Sequence, residues 1–342
     1  MLNRRKVQTV TAVAGGILAS GGQTWAADVN LYSSRHYDTD NALYDQFTRE
    51  TGIEVNLIEA DADELIERIK AEGANSPADV LITVDAGRLH RAVEAGLLAP
   101  VESEVLEERV PDNLQHPENL WFGLSQRVRG IVYAKDRVDP SEIQSYEALA
   151  EPEWDDRVCI RSSSNIYNQS LVASMIESEG AEAAEAWARG IVENMARPPQ
   201  GGDTDQIRAV AAGECDVAVV NHYYLARLIE SDDPADQEVA AEVDILFPNQ
   251  DGRGAHANIS GAGVLETAPN REQAVQFLEY LTTPEAQRIF AEGNTEYPVV
   301  EGVEPAPVLT QWGEFETDEV NAASYGEHNP DAVKIMDRAG WK

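Results

Sequence analysis

This chain is poor in positive charge, in cysteine and in long apolar runs, and each shortage removes a class of function. It carries 26 Lys and Arg against 61 Asp and Glu, a formal charge of −35. A field of that sign repels phosphate backbones and anionic lipid surfaces, so no nucleic-acid or anionic-membrane partner is expected. Beyond residue 26 no stretch approaches 18 consecutive apolar residues, and no spanning helix is expected. The two cysteines, Cys159 and Cys215, and the scattered histidines give none of the clustering that zinc or copper sites use. GxSxG, HExxH and P-loop patterns are also missing, which removes three common catalytic signatures without excluding an enzyme of another kind.

The first 26 residues follow an export pattern. Arg4, Arg5 and Lys6 precede an apolar stretch through Val13, Ile17 and Leu18, and small residues lead to Thr-Trp-Ala before Ala27. Residues 1–26 therefore read as a secretory signal peptide cleaved after Ala26, with no lipobox-like cysteine near the cut. Loss of this leader makes the mature chain more acidic still. In an exported protein Cys159 and Cys215 read as a disulfide rather than a metal pair or a nucleophile. Most carboxylates read as solvated surface suited to a salty habitat, since runs such as Glu102 to Glu108 lack ligand-like spacing. With 43% apolar residues the chain can still build large cores, and its length suggests two domains.

Strand and helix signals alternate from the start of the mature chain. Val29 to Tyr32, Ile53 to Ile58 and Asp79 to Val84 read as strands; Asn41 to Glu50, Ala62 to Glu72 and Ala86 to Ala95 read as the helices between and after them. This rhythm predicts an α/β protein whose mostly parallel sheet carries helices on both faces, with ligands at the carboxyl ends of strands. Trp121 to Lys135 reads as a long extended segment in which Arg127 and Arg129 share a face, a candidate crossing between lobes. A strand over Arg157 to Ile160, a polar loop from Arg161 to Asn168, and helices over Ser170 to Glu179, Ala181 to Met195 and Asp203 to Ala212 follow. Asp244 to Phe247 and Gly261 to Glu266 read as strands returning to the first lobe. Arg271 to Leu281 and Pro284 to Glu292 read as further helices.

Tyrosines recur where strands end. Tyr37 lies in YSSRHYDTD, Tyr167 in RSSSNIYNQS, and Tyr223 with Tyr224 in GECDVAVVNHYYLARL. In the last of these, the apolar run Asp216 to Val220 reads as a strand, and Asn221 offers an amide to cap a helix from Tyr223 onward. In a first helical turn two adjacent phenols diverge by roughly 100° and can still converge on one bound atom. The free N–H groups of that helix end would favour phenolate over phenol.

These segments, with ADVLITVDAGRL, QRVRGIVYAKD, CIRSSSN and the stretch from NISGAGVL to Tyr297, resemble the periplasmic ferric-iron-binding proteins of bacterial ABC transporters. The likeness is to the tyrosine-rich subgroup that includes cyanobacterial iron-uptake proteins, and it spans nearly the whole mature chain. It implies a two-lobed type II periplasmic-binding-protein fold, each lobe a mixed, mostly parallel sheet flanked by helices, closing over one ferric ion in the cleft. The lobes it implies are residues 27–126 with about 252–300, and residues 127–251 with about 301–342. By position Tyr37 resembles the first-lobe phenolate ligand, with His36 beside it as an imidazole ligand, and Tyr167, Tyr223 and Tyr224 match the second-lobe phenolates. Arg127 and Arg227 resemble residues facing the ligand phenolates, with Arg129 as the alternative to Arg127. Ser162 to Ser164 are candidates for a carbonate-like synergistic anion, or equally plain turn residues. The implied partner is an inner-membrane ABC permease, the implied compartment the periplasm, and a monomer without catalysis is expected.

The chemistry agrees with that resemblance. Ferric ion is hard and highly charged, prefers anionic oxygen, and as a bound cation drives off protons that free tyrosine holds to about pH 10. Four phenolates set four negative charges against three positive, an excess that nearby arginines offset. Two other readings stay open: a binding protein for another solute such as a polyamine, whose cation suits acidic and aromatic groups, and an exported enzyme using Tyr223 or Tyr224 as nucleophile or acid/base.

Overall fold

The computed structural model describes residues 27–342 except residue 36. The expected signal peptide and His36 lie outside the described residues.

Eight described strands build two sheets that share one long strand. β1 (Asp28–Ser33) pairs in parallel with β2 (Glu54–Glu59) and with β3 (Val80–Val84). The long strand β4 (Phe122–Ala134) follows. It is joined later by β5 (Val158–Cys159), β6 (Val217–Asn221), β7 (Val243–Leu246) and β8 (Ala257–Val264). β8 lies antiparallel between β3 and the first half of β4, which completes the first sheet. The second half of β4, from Arg129 on, lies antiparallel to β6 on one side and β7 on the other, and β5 adds in parallel to β6. The expected mixed α/β architecture is present: parallel strands sit where helices connect them, and antiparallel pairs sit where β4 and β8 pass through.

The apolar pattern explains each layer. Val80, Leu81 and Ile82 have almost no exposed surface because helices cover both faces of the first sheet. Helix Asp40–Thr51 turns Leu43, Tyr44 and Phe47 inward, and the Phe47 ring meets Phe277 at 5.0 Å and Tyr280 at 5.3 Å on helix Arg271–Leu281. Helix Ala323–Glu327, near the carboxyl terminus, packs on helix Ala86–Glu94 beside the first sheet and on helix Ile166–Glu179 beside the second. Among the described residues no helix is long and apolar enough to cross a membrane.

Most boundaries fall within a few residues of expectation, with informative exceptions. Asp244 to Phe247 does not return to the first sheet: β7 pairs with Ile131 to Ala134 of β4, beside β6. The second returning strand starts at Ala257, four residues early, because Ala257 and Asn258 gain ladder partners in Val128 and Arg127 that their own propensity does not announce. Helix Ile166–Glu179 starts inside the predicted polar loop. Asn165 caps it by accepting from the Tyr167 N–H at 3.2 Å, so Tyr167 stands in a first helical turn instead of a loop.

Cys159 and Cys215 form the expected disulfide, with Cα atoms 5.9 Å apart. It ties the end of β5 to the approach to β6 and closes a chain separation of 56 residues. Replacing both cysteines by serine is expected to lower unfolding free energy by about 4 kcal/mol on loop-entropy grounds, readable as a lower urea midpoint.

Two buried histidines give the fold a pH dependence. His256, with neither ring nitrogen hydrogen-bonded among the described residues, is pushed well below its ordinary value by burial and then by the charges of Arg253 and Arg129. Burial likewise lowers His222 to about 4. A depressed imidazole contributes stability that is complete above the ordinary range near pH 6.5 and is lost as pH falls toward the folded value, at up to about 1.4 kcal/mol per pH unit for each histidine. Urea midpoints should therefore drop between pH 7.5 and 5, and the drop should be shallower in His256→Phe.

Candidate metal centre

Three strand ends deliver four phenols to one place. Tyr37 follows β1, and its carbonyl accepts from the Asp40 N–H at the start of helix Asp40–Thr51. Tyr167 opens helix Ile166–Glu179 after β5. Tyr223 and Tyr224 lie in the first turn of helix His222–Glu230, directly after β6, with Leu225 and Leu228 buried beneath them. All four tyrosines thus stand where ligands of such sheets gather.

They meet around Arg127, on the part of β4 just before it passes from one sheet to the other. The Arg127 Nη2 group donates to the Tyr37 and Tyr167 hydroxyls, each at 3.4 Å, and makes a short contact with the Tyr223 hydroxyl. The Tyr223 and Tyr224 rings lie 4.5 Å apart, tilted, as expected of neighbours in one helical turn. Arg227, four residues after Tyr223, folds back over the cluster, its guanidinium 5.0 Å from the Tyr37 and Tyr223 ring centres and 5.9 Å from that of Tyr224. Arg127 and Arg227 both face the phenols. Arg129 does not, although it shares a strand face with Arg127. Its guanidinium is buried against Asp203 at 2.8 Å, Asn168 at 2.7 Å and the Val219 carbonyl at 3.1 Å.

Asn221 occupies the cap position of helix His222–Glu230, but its side chain does not cap. Its amide donates to the Tyr223 hydroxyl at 3.0 Å while its carbonyl accepts from Arg129 at 3.3 Å. A tertiary ion network has taken the amide from the local one. Electrostatics differ from expectation in the same region. Burial, opposed by Arg127, pushes the Tyr223 phenol well above its ordinary value, so desolvation outweighs the helix end. Burial also raises Tyr224, to about 12. Burial pushes Tyr167 up as well, but Arg127 and the Tyr223 hydroxyl outweigh it and the net direction is down.

Charged residues that no sequence pattern marks hold this arrangement. Glu296 is fully buried; burial pushes its carboxyl up, and Arg35 and Arg127 overcome this to hold it at about 2. It accepts from Arg35 at 3.0 Å, and Arg35 in turn pairs with Asp40 at 2.7 Å and lies over the Tyr37 ring at 4.7 Å. Asp203, also fully buried, accepts from Arg129 at 2.8 Å, Arg161 at 2.7 Å and the Asn221 N–H at 3.0 Å. These pairs span 74 and 261 residues of chain, so spacing could not reveal them. Ser162 and Ser164 bond to each other at 2.9 Å and, with Arg88, Arg91 and Arg161, line a cavity of about 340 Å³.

Residues 42–317 match the family model of the bacterial extracellular solute-binding proteins. The chain belongs to that family. Among relatives of this solute-binding protein, the iron uptake protein A1 of Synechocystis is 56% identical over 315 residues, covering 92% of this chain and 88% of that one. A Trichodesmium structure in complex with iron and citrate superposes with a TM-score of 0.91 at 61% identity, over 92% of this chain and all of the other. The ferric binding protein of Campylobacter jejuni superposes with a TM-score of 0.85 at 41% identity, again over 92% of this solute-binding protein. The family resemblance read from the tyrosine segments is borne out, as is the two-lobed fold of its structural neighbours.

Asp203→Ala would leave Arg129 buried without its carboxylate. It is expected to destabilise this solute-binding protein by about 3–5 kcal/mol, measured as a shift in urea midpoint, with Asp203→Asn milder because the amide still accepts hydrogen bonds.

Proposed function

We propose that this protein captures ferric iron between two lobes through the phenolates of Tyr37, Tyr167, Tyr223 and Tyr224 and delivers it to an inner-membrane ABC permease. The observation that carries the reading is the convergence of phenols from three strand ends on one guanidinium. Tyr37 comes from the first sheet, and Tyr167 and Tyr223 from the second, within reach of the same Arg127 nitrogen. Relatives named for iron uptake and ferric binding support the same cargo. His36, next to Tyr37, is the candidate fifth ligand.

In this reading residues 27–126 with about 252–300 form one lobe and residues 127–251 with about 301–342 the other; the parting of the sheets between Val128 and Arg129 of β4 supports a boundary near residue 127. Closure over the metal brings Tyr37 to the other three phenols, and opening separates them. Two carboxylates beside the site, Glu296 and Asp203, are already engaged by arginines, which leaves a polyamine little anionic purchase there. The work is transport, carried out by an exported monomer in the periplasm. An anion accompanying the iron, carbonate-like or a chelating carboxylate, has a place in the cavity of Ser162, Ser164 and Arg161, which adjoins Tyr167.

The raised Tyr223 and Tyr224 phenols are protonated at neutral pH, so metal capture displaces protons and weakens as pH falls. Titration of the chelator-stripped protein with ferric citrate should produce a tyrosinate-to-iron charge-transfer colour that saturates at about one iron per chain and fades on acidification. The colour should be lost in the double variant Tyr223→Phe with Tyr224→Phe. A colourless titration without binding would remove the ferric reading, and polyamines and other small solutes would then be screened by thermal shift.

A further inference from the structure

Arg127 reaches the phenols with one nitrogen only. Its Nε and Nη1 are buried and have no hydrogen-bond partner among the described residues, and the same holds for Glu296 Oε1. These orphaned groups face each other: Arg127 Nε lies 3.6 Å from Glu296 Oε1, within ion-pair range and just beyond a hydrogen bond. The other oxygen of Glu296 is held by Arg35 at 3.0 Å and by the hydroxyls of Ser125 and Ser260. The carboxylate is therefore fixed from one side while its second oxygen is turned to Arg127.

The backbone keeps Glu296 in that place. Helix Pro284–Asn294 ends at Thr295, whose φ of +53° lies in the left-handed region that a β-branched residue seldom adopts. This turn directs Glu296 inward, and Tyr297 then bridges to Gln126, with Gln126 N–H to Tyr297 carbonyl at 2.7 Å and the reverse bond at 3.1 Å. Glu296 and Arg127 are thus each one residue from a backbone bridge. A strained residue and a two-bond clamp serve to set one buried carboxylate against one arginine.

We infer that Glu296 is a positioning residue for the iron site, acting through Arg127. The Glu296 carboxylate meets the guanidinium at Nε, and the phenol oxygens meet it at Nη2. Both share one delocalised cation, so the charge that Glu296 offsets at Nε lowers the competition an incoming cation meets at Nη2. Asp40, Arg35, Glu296 and Arg127 form an alternating chain of charges from the start of helix Asp40–Thr51 to the phenols. Without the Glu296 charge, Arg127 is left to the phenols alone and iron binds less tightly. The inference rests on the ferric reading above.

The test is a double-mutant cycle on iron affinity and on the charge-transfer band. Glu296→Gln keeps the shape and removes the charge; Arg127→Gln removes the group through which it acts. Glu296→Gln alone is expected to weaken ferric binding by about tenfold or more and to shift the band, whereas in the Arg127→Gln background the same change should cost less than about threefold and leave the band in place. Equal losses in both backgrounds would assign Glu296 a merely structural role and overturn the inference. Glu296→Asp, which keeps the charge but retracts it, should recover part of the affinity. If Glu296→Gln fails to fold, the iron-loaded wild type still decides. A crystal structure in which Arg127 keeps Glu296 as its carboxylate partner supports the inference, and one in which Arg127 has turned to another carboxylate overturns it. Absence of iron binding in the wild type would instead fail the ferric reading itself.

Discussion

A buried guanidinium among four phenols is the constraint from which the rest of the site follows. Arg127 is removed from water by the two sheets that meet at β4, and a charge so placed needs polar or anionic partners. Phenol oxygens of Tyr37, Tyr167 and Tyr223 meet its Nη2, and Glu296 lies within ion-pair range of its Nε. Burial holds the Tyr223 and Tyr224 phenols against ionisation, so a strongly charged cation is the natural agent to draw off their protons. Burial, cation and phenol explain one another. Any one of them alone would be an unexplained expense of stability.

The fold brings these groups together through the ends of strands. β6 runs directly into the helix that carries Tyr223 and Tyr224, whereas loops after β1 and β5 lead to Tyr37 and to Tyr167 in the first turn of helix Ile166–Glu179. The disulfide between Cys159 and Cys215 and the Asp203 network link the Tyr167 and Tyr223 turns. Tyr37 stands on the other sheet, joined to these turns mainly through β4, β8 and the carboxyl-terminal helices. Three phenols thus follow strands of the second sheet and one follows a strand of the first.

Much of this was legible from residue patterns, and the failures have a common cause. Periodicity located helix Ala62–Glu72 and helix Arg271–Leu281 within a residue because their stripes are regular and their ends are marked by breakers. The four tyrosines stood out because each follows an apolar run. What escaped was set by distant partners. The sheet that β7 joins is not legible in sequence, because a four-residue strand carries no record of its neighbour. Asn221 has the residue type of a cap, but Arg129 and Tyr223 claim its side chain. Glu296 and Asp203, in a chain with 61 acidic residues, carry nothing that separates a buried carboxylate from a solvated one. The sequence signal for helix Ile166–Glu179 lies in Asn165, a good cap directly before the helix, and the polar run around it masks that signal.

The most direct test of the central claim is an anomalous-difference map at the iron absorption edge from crystals of the iron-loaded protein. A single peak in contact with the hydroxyl oxygens of Tyr37, Tyr167, Tyr223 and Tyr224 is the predicted result. A peak elsewhere on the chain, or one touching the second-sheet phenols while Tyr37 stays apart in closed crystals, would contradict the account.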